Sequence, residues 1–98
     1  MHRLYALLNG RLADLTHADT DTAAQALAQA AAVFVCHPDP SQTVAYYPAT
    51  GRWLRGGQTV AETDLPDGWD LPDGRRLLRD GLRLVPGDSD IPAAESGE

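Results

Sequence analysis

The sequence predicts a small α+β domain in which an antiparallel sheet packs on a single helix. Three observations support this class: turn-forming pairs between short β-prone runs, one alanine-rich segment of high helix propensity, and strands that are segregated around that segment rather than alternating with helices. We expect one domain over residues 1–85. Residues 86–98 combine low hydrophobicity with charge of a single sign, and this composition predicts a disordered acidic tail.

The first predicted element is a β-hairpin around Asn9-Gly10, a pair that favours a two-residue turn with positive φ at both positions. Side chains alternate along a strand, so one face of this hairpin holds Leu4, Ala6, Leu8, Ala13 and Leu15, and the other holds Tyr5, Leu7 and Leu12. Both faces are apolar. Either a second layer of the chain or a partner must therefore cover the second face.

A helix is predicted over residues 20–32, because Asp19 supplies an N-cap oxygen and an alanine-rich run of high helix propensity follows. A β-prone run over residues 33–37 comes next and is stopped by Pro38-Asp39-Pro40.

Two more hairpins are predicted after this strand. The first joins residues 43–47 to residues 52–55 and places Tyr46 across from Trp53, an aromatic pair that fixes register. The second surrounds Asp80-Gly81, which is another turn-forming pair.

Composition and charge argue against several function classes. The chain has 14 Asp+Glu against 8 Lys+Arg and a net charge of −6, the wrong sign for a protein that neutralises phosphates, so no direct nucleic-acid binding is expected. No apolar run approaches the roughly 20 residues that cross a bilayer, so no membrane association is expected. A single cysteine, Cys36, cannot form an internal disulfide, and no secretory signal is recognised, which together predict a cytoplasmic protein.

The acidic stretch, residues 59–74, is the most distinctive feature of the chain. It holds Glu62, Asp64, Asp67, Asp70 and Asp73 without any basic residue. In an extended polyproline-like conformation, the four aspartates would line one edge at intervals of roughly 9 Å and suit a basic groove. The favoured interpretation is ordinary turn chemistry, since Leu-Pro-Asp-Gly occurs twice, at residues 65–68 and 71–74.

Four arginines follow the acidic stretch, at positions 75, 76, 79 and 83. They could bind a small anion or RNA, but the preceding acids are close enough in sequence to neutralise them. Pairing within the chain is the favoured expectation.

Residues with catalytic or metal-binding chemistry are few. Cys36 could act as a nucleophile with His37 or His17 as its base, but neighbouring strand residues point to opposite faces, and a buried structural cysteine is the simpler interpretation. No paired Cys or His spacing indicates a metal site. Gly56-Gly57 lacks the lysine of a phosphate-binding loop, so no cofactor is expected.

These observations predict a small, non-enzymatic, acidic protein–protein interaction module that covers a basic surface of a partner. The predicted contact residues are Glu62, Asp64, Asp67, Asp70 and Asp73 of the acidic stretch and Tyr5, Leu7 and Leu12 of the first hairpin. Small acidic domains of this kind occur among phage and mobile-element inhibitors, including anti-CRISPR-like and DNA-mimic proteins. That is an analogy of class, since no motif here resembles a particular family.

Two alternatives remain open. The chain could be a structural subunit of a larger assembly or a homodimer built on Tyr5, Leu7 and Leu12. It could also be a small enzyme or ligand-binding subunit that uses Cys36 and His37 or the aromatic pair Tyr46 and Trp53.

Overall fold

The computed structural model describes residues 2–86, so the predicted acidic tail lies outside the described residues except for Pro86. The described residues form nine strands, one α-helix and three single-turn 3-10 helices. The elements are β1 (Arg3–Leu8), β2 (Arg11–Asp14), α1 (Thr20–Gln29), β3 (Ala32–Cys36), β4 (Val44–Tyr47), β5 (Arg52–Arg55), β6 (Gln58–Val60), β7 (Gly68–Asp70), β8 (Arg76–Leu78) and β9 (Arg83–Val85), with 3-10 turns at Pro40–Gln42, Glu62–Asp64 and Asp80–Leu82. The predicted α+β class with antiparallel strand pairing is confirmed.

The strands form two sheets rather than the single sheet that the sequence predicts. The large sheet has the order β2-β1-β3-β4-β5-β6, and the small sheet has the order β7-β8-β9. All neighbours within both sheets are antiparallel. The unpredicted strand β6 follows Gly56 and Gly57, whose φ values of 59° and 85° make the tight turn from β5.

All three predicted hairpins form. Asn9 and Gly10 have φ values of 50° and 77°, and Leu7 pairs with Leu12 as the turn chemistry requires. In the second hairpin Tyr46 pairs with Trp53, and their ring centroids are 4.5 Å apart. In the third, Leu78 pairs with Arg83 across a 3-10 turn instead of a plain two-residue turn.

Helix α1 begins as predicted and ends three residues early. The Asp19 carboxylate accepts a hydrogen bond from the Thr22 N–H at 2.7 Å, which caps the first turn. The prediction of helix up to Ala32 is wrong, because Ala31 and Ala32 bond to β1 instead of continuing the helix. The Ala31 N–H donates to the Leu7 carbonyl at 2.9 Å, and Ala32 pairs with Leu7. Sheet pairing here outweighs the helix propensity of alanine.

The core lies between one face of the large sheet and a layer made of α1 and the small sheet. A single apolar cluster joins Leu4, Ala6, Val33, Val35, Val44 and Trp53 of the large sheet to Ala23 and Leu27 of α1 and to Trp69, Leu77 and Leu84 of the small sheet. We call this side of the large sheet the covered face. Within residues 2–86 there is no helix with the length and hydrophobicity that crossing a bilayer requires.

Candidate binding surface

The opposite side of the large sheet, which we call the open face, carries no layer from residues 2–86. Strand alternation and register determine which side chains lie on this face, because directly paired residues of neighbouring strands point to the same side of a sheet. The apolar members are Tyr5, Leu7, Leu12, Ala32, Phe34, Ala45, Tyr47 and Leu54. Five strands of one rigid sheet therefore present a continuous apolar surface.

None of these eight residues belongs to the core cluster or packs against it from a partly buried position. Ala32 is nevertheless buried, with 1% of its surface exposed, so seven of the eight present accessible apolar surface. Leu12 is 59% exposed and Tyr47 is 38% exposed, and they are the exposed large hydrophobic residues of the described chain. The chain has six aromatic residues, and three of them, Tyr5, Phe34 and Tyr47, lie on the open face. A fold that leaves half of its aromatic side chains outside the core presents the composition of an interface centre.

The open face is ordered from centre to rim. Phe34 and Tyr47 make an edge-to-face contact near its middle, with ring centroids 6.4 Å apart. The charged side chains lie at the margin: Arg3 on β1, Asp14 on β2 and Arg52 on β5. An apolar centre with a charged rim is the usual anatomy of a protein–protein interface.

Asp14 also helps to hold the end of β2 in place. Its Oδ1 accepts a hydrogen bond from the Thr16 N–H at 2.9 Å, and hydrogen bonding to Thr16 lowers the pKa of the Asp14 carboxyl. Thr16 is itself buried, and its Oγ1 accepts from the Leu4 N–H at 3.0 Å. These bonds hold the end of β2 against β1 and keep the first hairpin in register.

Tyr5, Leu7 and Leu12, which the sequence places together on one face of the hairpin, do lie together on the open face. Sequence reasoning missed Phe34, Ala45, Tyr47 and Leu54. The signal was present, because Phe34 alternates with the buried Val33 and Val35 in β3. What the sequence lacked was the strand order that brings β4 and β5 beside β3.

The acidic stretch does not form an extended row of carboxylates. Glu62 and Asp64 lie in a 3-10 turn, Asp70 ends β7, and Asp73 lies in the turn before β8. This segment packs through Leu65, Trp69 and Leu71 on the covered side of the molecule, so the structure separates it from the open face. The two groups of predicted contact residues therefore belong to different surfaces.

Three of the five acids lie beside an arginine of the following segment. Asp73 Oδ2 accepts from Arg75 Nε at 2.7 Å, and this bonding lowers the pKa of the Asp73 carboxyl. The other two pairs are looser, with Arg79 Nε 3.7 Å from Glu62 Oε2 and Arg76 Nε 4.0 Å from Asp70 Oδ1. The pairing expected for the four arginines is thus present at Arg75, Arg76 and Arg79, whereas the Arg83 side chain makes no hydrogen bond or ion pair among the described residues.

The remaining acids of the stretch are free at their side chains. Among the described residues, the carboxylates of Asp64 and Asp67 make no hydrogen bond or ion pair, and both residues are exposed. Their backbones are used instead: the Asp67 carbonyl accepts from the Arg79 N–H at 2.7 Å, and the Asp64 carbonyl accepts from Arg55 Nη1 at 3.3 Å.

Cys36, the last residue of β3, and His37, which follows it, lie on opposite sides of the large sheet, as strand alternation predicts. Cys36 belongs to the open face, where it pairs across the ladder with Arg3, and burial raises the pKa of its thiol. His37 Nδ1 accepts a hydrogen bond from the Asp39 N–H at 2.9 Å. Nothing in this geometry brings the imidazole to the sulfur.

Two concavities lie on the covered side. One, of about 500 Å³, contains His2 and His37, whose ring centroids are 5.1 Å apart, together with Arg55 and Asp70. Burial lowers the pKa of His2, and its Nδ1 has no hydrogen-bond partner. Within residues 2–86, no group of three or more His, Cys, Asp or Glu side chains is arranged to hold a metal ion.

The second concavity is a cleft of about 620 Å³ between α1, the aromatic pair and the third hairpin. Tyr46 and Trp53 line it from the sheet, Ala28 lines it from α1, and Leu82 and Arg83 line it from the hairpin. Leu82 has a φ of 47°, in the left-handed region that a leucine adopts only under strain.

No protein-family model matches the chain, and no curated protein or solved structure matches it significantly.

Proposed function

We propose that the chain is a non-enzymatic protein-interaction module that binds its partner through the open face. The observation that carries the proposal is the one-sided covering of the large sheet: α1 and the small sheet pack on one face, while seven apolar side chains with accessible surface line the other. Large apolar patches with a polar rim mark protein–protein contact sites.

The energetics favour a protein partner. Burying apolar surface contributes roughly 25 cal/mol per Å². Leu12 and Tyr47 have the most surface left to bury, and the half-buried side chains between them add to it. Because these side chains stand on a hydrogen-bonded sheet, little backbone conformational entropy is lost when they are covered. Tyr5, Phe34 and Tyr47 supply the aromatic anchors that dominate many interfaces.

The non-enzymatic part of the proposal is supported by the state of the reactive groups. Burial raises the pKa of the Cys36 thiol, which keeps it protonated and a poor nucleophile at neutral pH. His37 lies on the other side of the large sheet and uses Nδ1 for the Asp39 backbone.

The acidic stretch contributes less to this proposal than the open face does. A basic partner would have to compete with Arg75, Arg76 and Arg79 for Asp73, Asp70 and Glu62. Within the acidic stretch, which the structure describes in full, only Asp64 and Asp67 offer unpaired carboxylates. The interpretation as a phage or mobile-element inhibitor stays a hypothesis.

The proposal can be tested by site-specific photo-crosslinking in the producing cell. A benzophenone amino acid at position 12 samples the open face, and the same amino acid at position 25, on the exposed side of α1, is the matched control. We expect one discrete adduct from position 12, identified by mass spectrometry and abolished by Leu7→Lys, and none from position 25. No adduct from position 12, or the same adducts from both positions, would contradict the proposal.

A second candidate function, binding of a small amphipathic ligand, is favoured by the cleft beside Tyr46 and Trp53. Its volume of about 620 Å³ falls within the range of roughly 300–1,000 Å³ that small-molecule pockets occupy. The fluorescent anion 8-anilinonaphthalene-1-sulfonate is a suitable probe. If it binds in the cleft, Ala28→Trp abolishes the fluorescence gain and Leu12→Lys does not; the reverse pattern assigns binding to the open face.

A further inference from the structure

We infer that the partner of the open face is a second copy of this chain, packed face to face about a two-fold axis that runs along the strands between β3 and β4. The inference rests on the proposed function and names its partner. It is carried by the pairing of large with small side chains across the centre of the face, by the charges of the face, and by its size.

The central pair is Phe34 and Ala45. They are direct cross-strand partners on β3 and β4, the two middle strands of the large sheet. A two-fold axis between these strands exchanges the two positions. Phe34 of one copy then lies over Ala45 of the other, and Ala45 lies over Phe34, so that each phenyl ring meets a methyl group instead of another ring.

The same operation matches the flanking strands, placing β1 over β5 and β2 over β6 of the second copy. Tyr5, Phe34, Ala45 and Leu54 form one continuous row across the ladder. Tyr5 therefore meets Leu54, again an aromatic ring against an aliphatic side chain.

The neighbouring row contains Leu7, Ala32, Tyr47 and Arg52. In this row, Leu7 of one copy meets the aliphatic stem of Arg52 of the other.

Charge does not oppose this contact. The net charge of −6 would make two copies repel if it were spread evenly, but the open face contains one acid, Asp14, and two arginines, Arg3 and Arg52. The acidic stretch packs on the covered side. In the two-fold arrangement Asp14 lies opposite Thr59, so no like charges meet across the centre.

The size of the face is near the lower limit for a specific dimer. Strands spaced at about 4.8 Å, with a rise of about 3.3 Å per residue, give a face of roughly 24 Å by 17 Å, or about 400 Å² in projection on each copy. Accessible area exceeds projected area, so two faces together reach roughly the 1,000 Å² that a specific interface requires. The rotation also fits aligned sheet packing, in which strand directions stay within about 30° of each other.

The first experiment is sedimentation equilibrium of the full chain over a wide concentration range. It compares the wild type with variants that change Phe34 and Ala45, the central pair. The wild type should approach twice the chain mass of 10.5 kDa. Ala45→Phe places two rings against each other and should weaken self-association about tenfold or more, as overpacking does. Adding Phe34→Ala restores a large-to-small match, so the double variant should recover most of the loss. Circular dichroism and thermal unfolding of each variant establish that it is folded.

Two substitutions of opposite charge at position 7 test the register of the two copies without changing the central pair. Leu7→Lys and Leu7→Glu are equally polar, but only the lysine would face Arg52 of the second copy with the same charge. We expect Leu7→Lys to lower the association constant at least about tenfold more than Leu7→Glu. Gln25→Lys, on the exposed side of α1, is the control and should leave the mass unchanged.

The outcomes separate this inference from the proposed function. A wild-type chain that stays monomeric at all concentrations, or an Ala45→Phe variant that associates as well as the wild type, overturns the second copy as partner. If position 12 still gives one discrete photo-adduct with another protein, the open face remains a binding surface. If the wild-type chain does not self-associate and position 12 gives no photo-adduct, both proposals are overturned.

Discussion

The two faces of the large sheet differ in what covers them, although the same strands supply both. On β1, Leu4 and Ala6 are fully buried under α1 and the small sheet, whereas Tyr5 and Leu7 on the other side contact no covering element of residues 2–86. Both faces are apolar, so composition does not distinguish the covered face from the open face. The difference lies in topology, because the helix and the small sheet all pack on one side.

The largest expected contrast comes from truncating the same residue type on the two faces of β1. Leu4→Ala removes a side chain that is 0% exposed and should lower the free energy of unfolding by about 2–5 kcal/mol. Leu7→Ala should cost less than about 1 kcal/mol when measured on the monomer. Chemical denaturation at low protein concentration compares the two. Equal losses would show that the open face is part of the folding core.

The next contrast concerns the hydrogen bond that anchors the first hairpin. Thr16→Val removes the Oγ1 that accepts from the Leu4 N–H at 3.0 Å, leaving a buried donor unpaired, which costs about 1–3 kcal/mol. Thr59→Val, at the margin of the open face, should change the free energy of unfolding by no more than about 0.5 kcal/mol. A small effect at both positions would contradict the buried bond.

A smaller effect tests how the small sheet is tied to the large one. Arg75 bonds Asp73 and also donates from Nη2 to the Thr16 carbonyl at 3.1 Å. The pKa of Asp73 is lower folded than unfolded, so the ionised carboxyl adds stability above the unfolded value of about 3.9 and loses it as pH falls through the folded value. After allowance for solvent screening, Asp73→Asn should cost no more than about 1 kcal/mol at neutral pH.

The sign of this effect can be checked by denaturing the wild type and Asp73→Asn at about pH 6 and about pH 2. The advantage of the wild type should shrink towards zero at the lower pH. An advantage that is the same at both values would mean that the Asp73 charge does not stabilise the fold.

The smallest expected effect concerns the unpaired acids. Asp64→Asn combined with Asp67→Asn should leave both the unfolding free energy and self-association unchanged, since neither carboxylate makes a bond among the described residues. Self-association of the wild type should also be insensitive to salt, because few charges meet across the open face. Dissociation on replacing Asp64 and Asp67, or in salt, would assign binding to the acidic stretch instead.

Local signals in the sequence account for much of the fold. Asn9-Gly10, the Tyr46 and Trp53 pair and the Asp19 cap each act over a few residues, and each structure forms where it was expected. The end of α1 and the presence of a second sheet depend on contacts between distant segments. The alanines after Gln29 could extend a helix or join a sheet, and pairing with β1 decides the outcome.

The proposed binding surface was predictable only in part, for the same reason. Tyr5, Leu7 and Leu12 share a face because one tight turn fixes their register. Phe34, Ala45, Tyr47 and Leu54 join them through the order β1-β3-β4-β5, which no local pattern encodes. The acidic stretch was singled out by composition, but composition does not reveal that Arg75, Arg76 and Arg79 lie beside its carboxylates.

The most direct test of the open face as a self-binding surface is an isotope-filtered nuclear Overhauser measurement. An equimolar mixture of ¹³C-labelled and unlabelled chains reports only contacts between copies, although Phe34 and Ala45 also neighbour each other within one chain. The two-fold arrangement predicts a cross-peak between the Ala45 methyl of one copy and the Phe34 ring of the other. A concentrated sample with no such peak, or with contacts between copies that come from Ala24 and Ala28 of α1 instead, would contradict it.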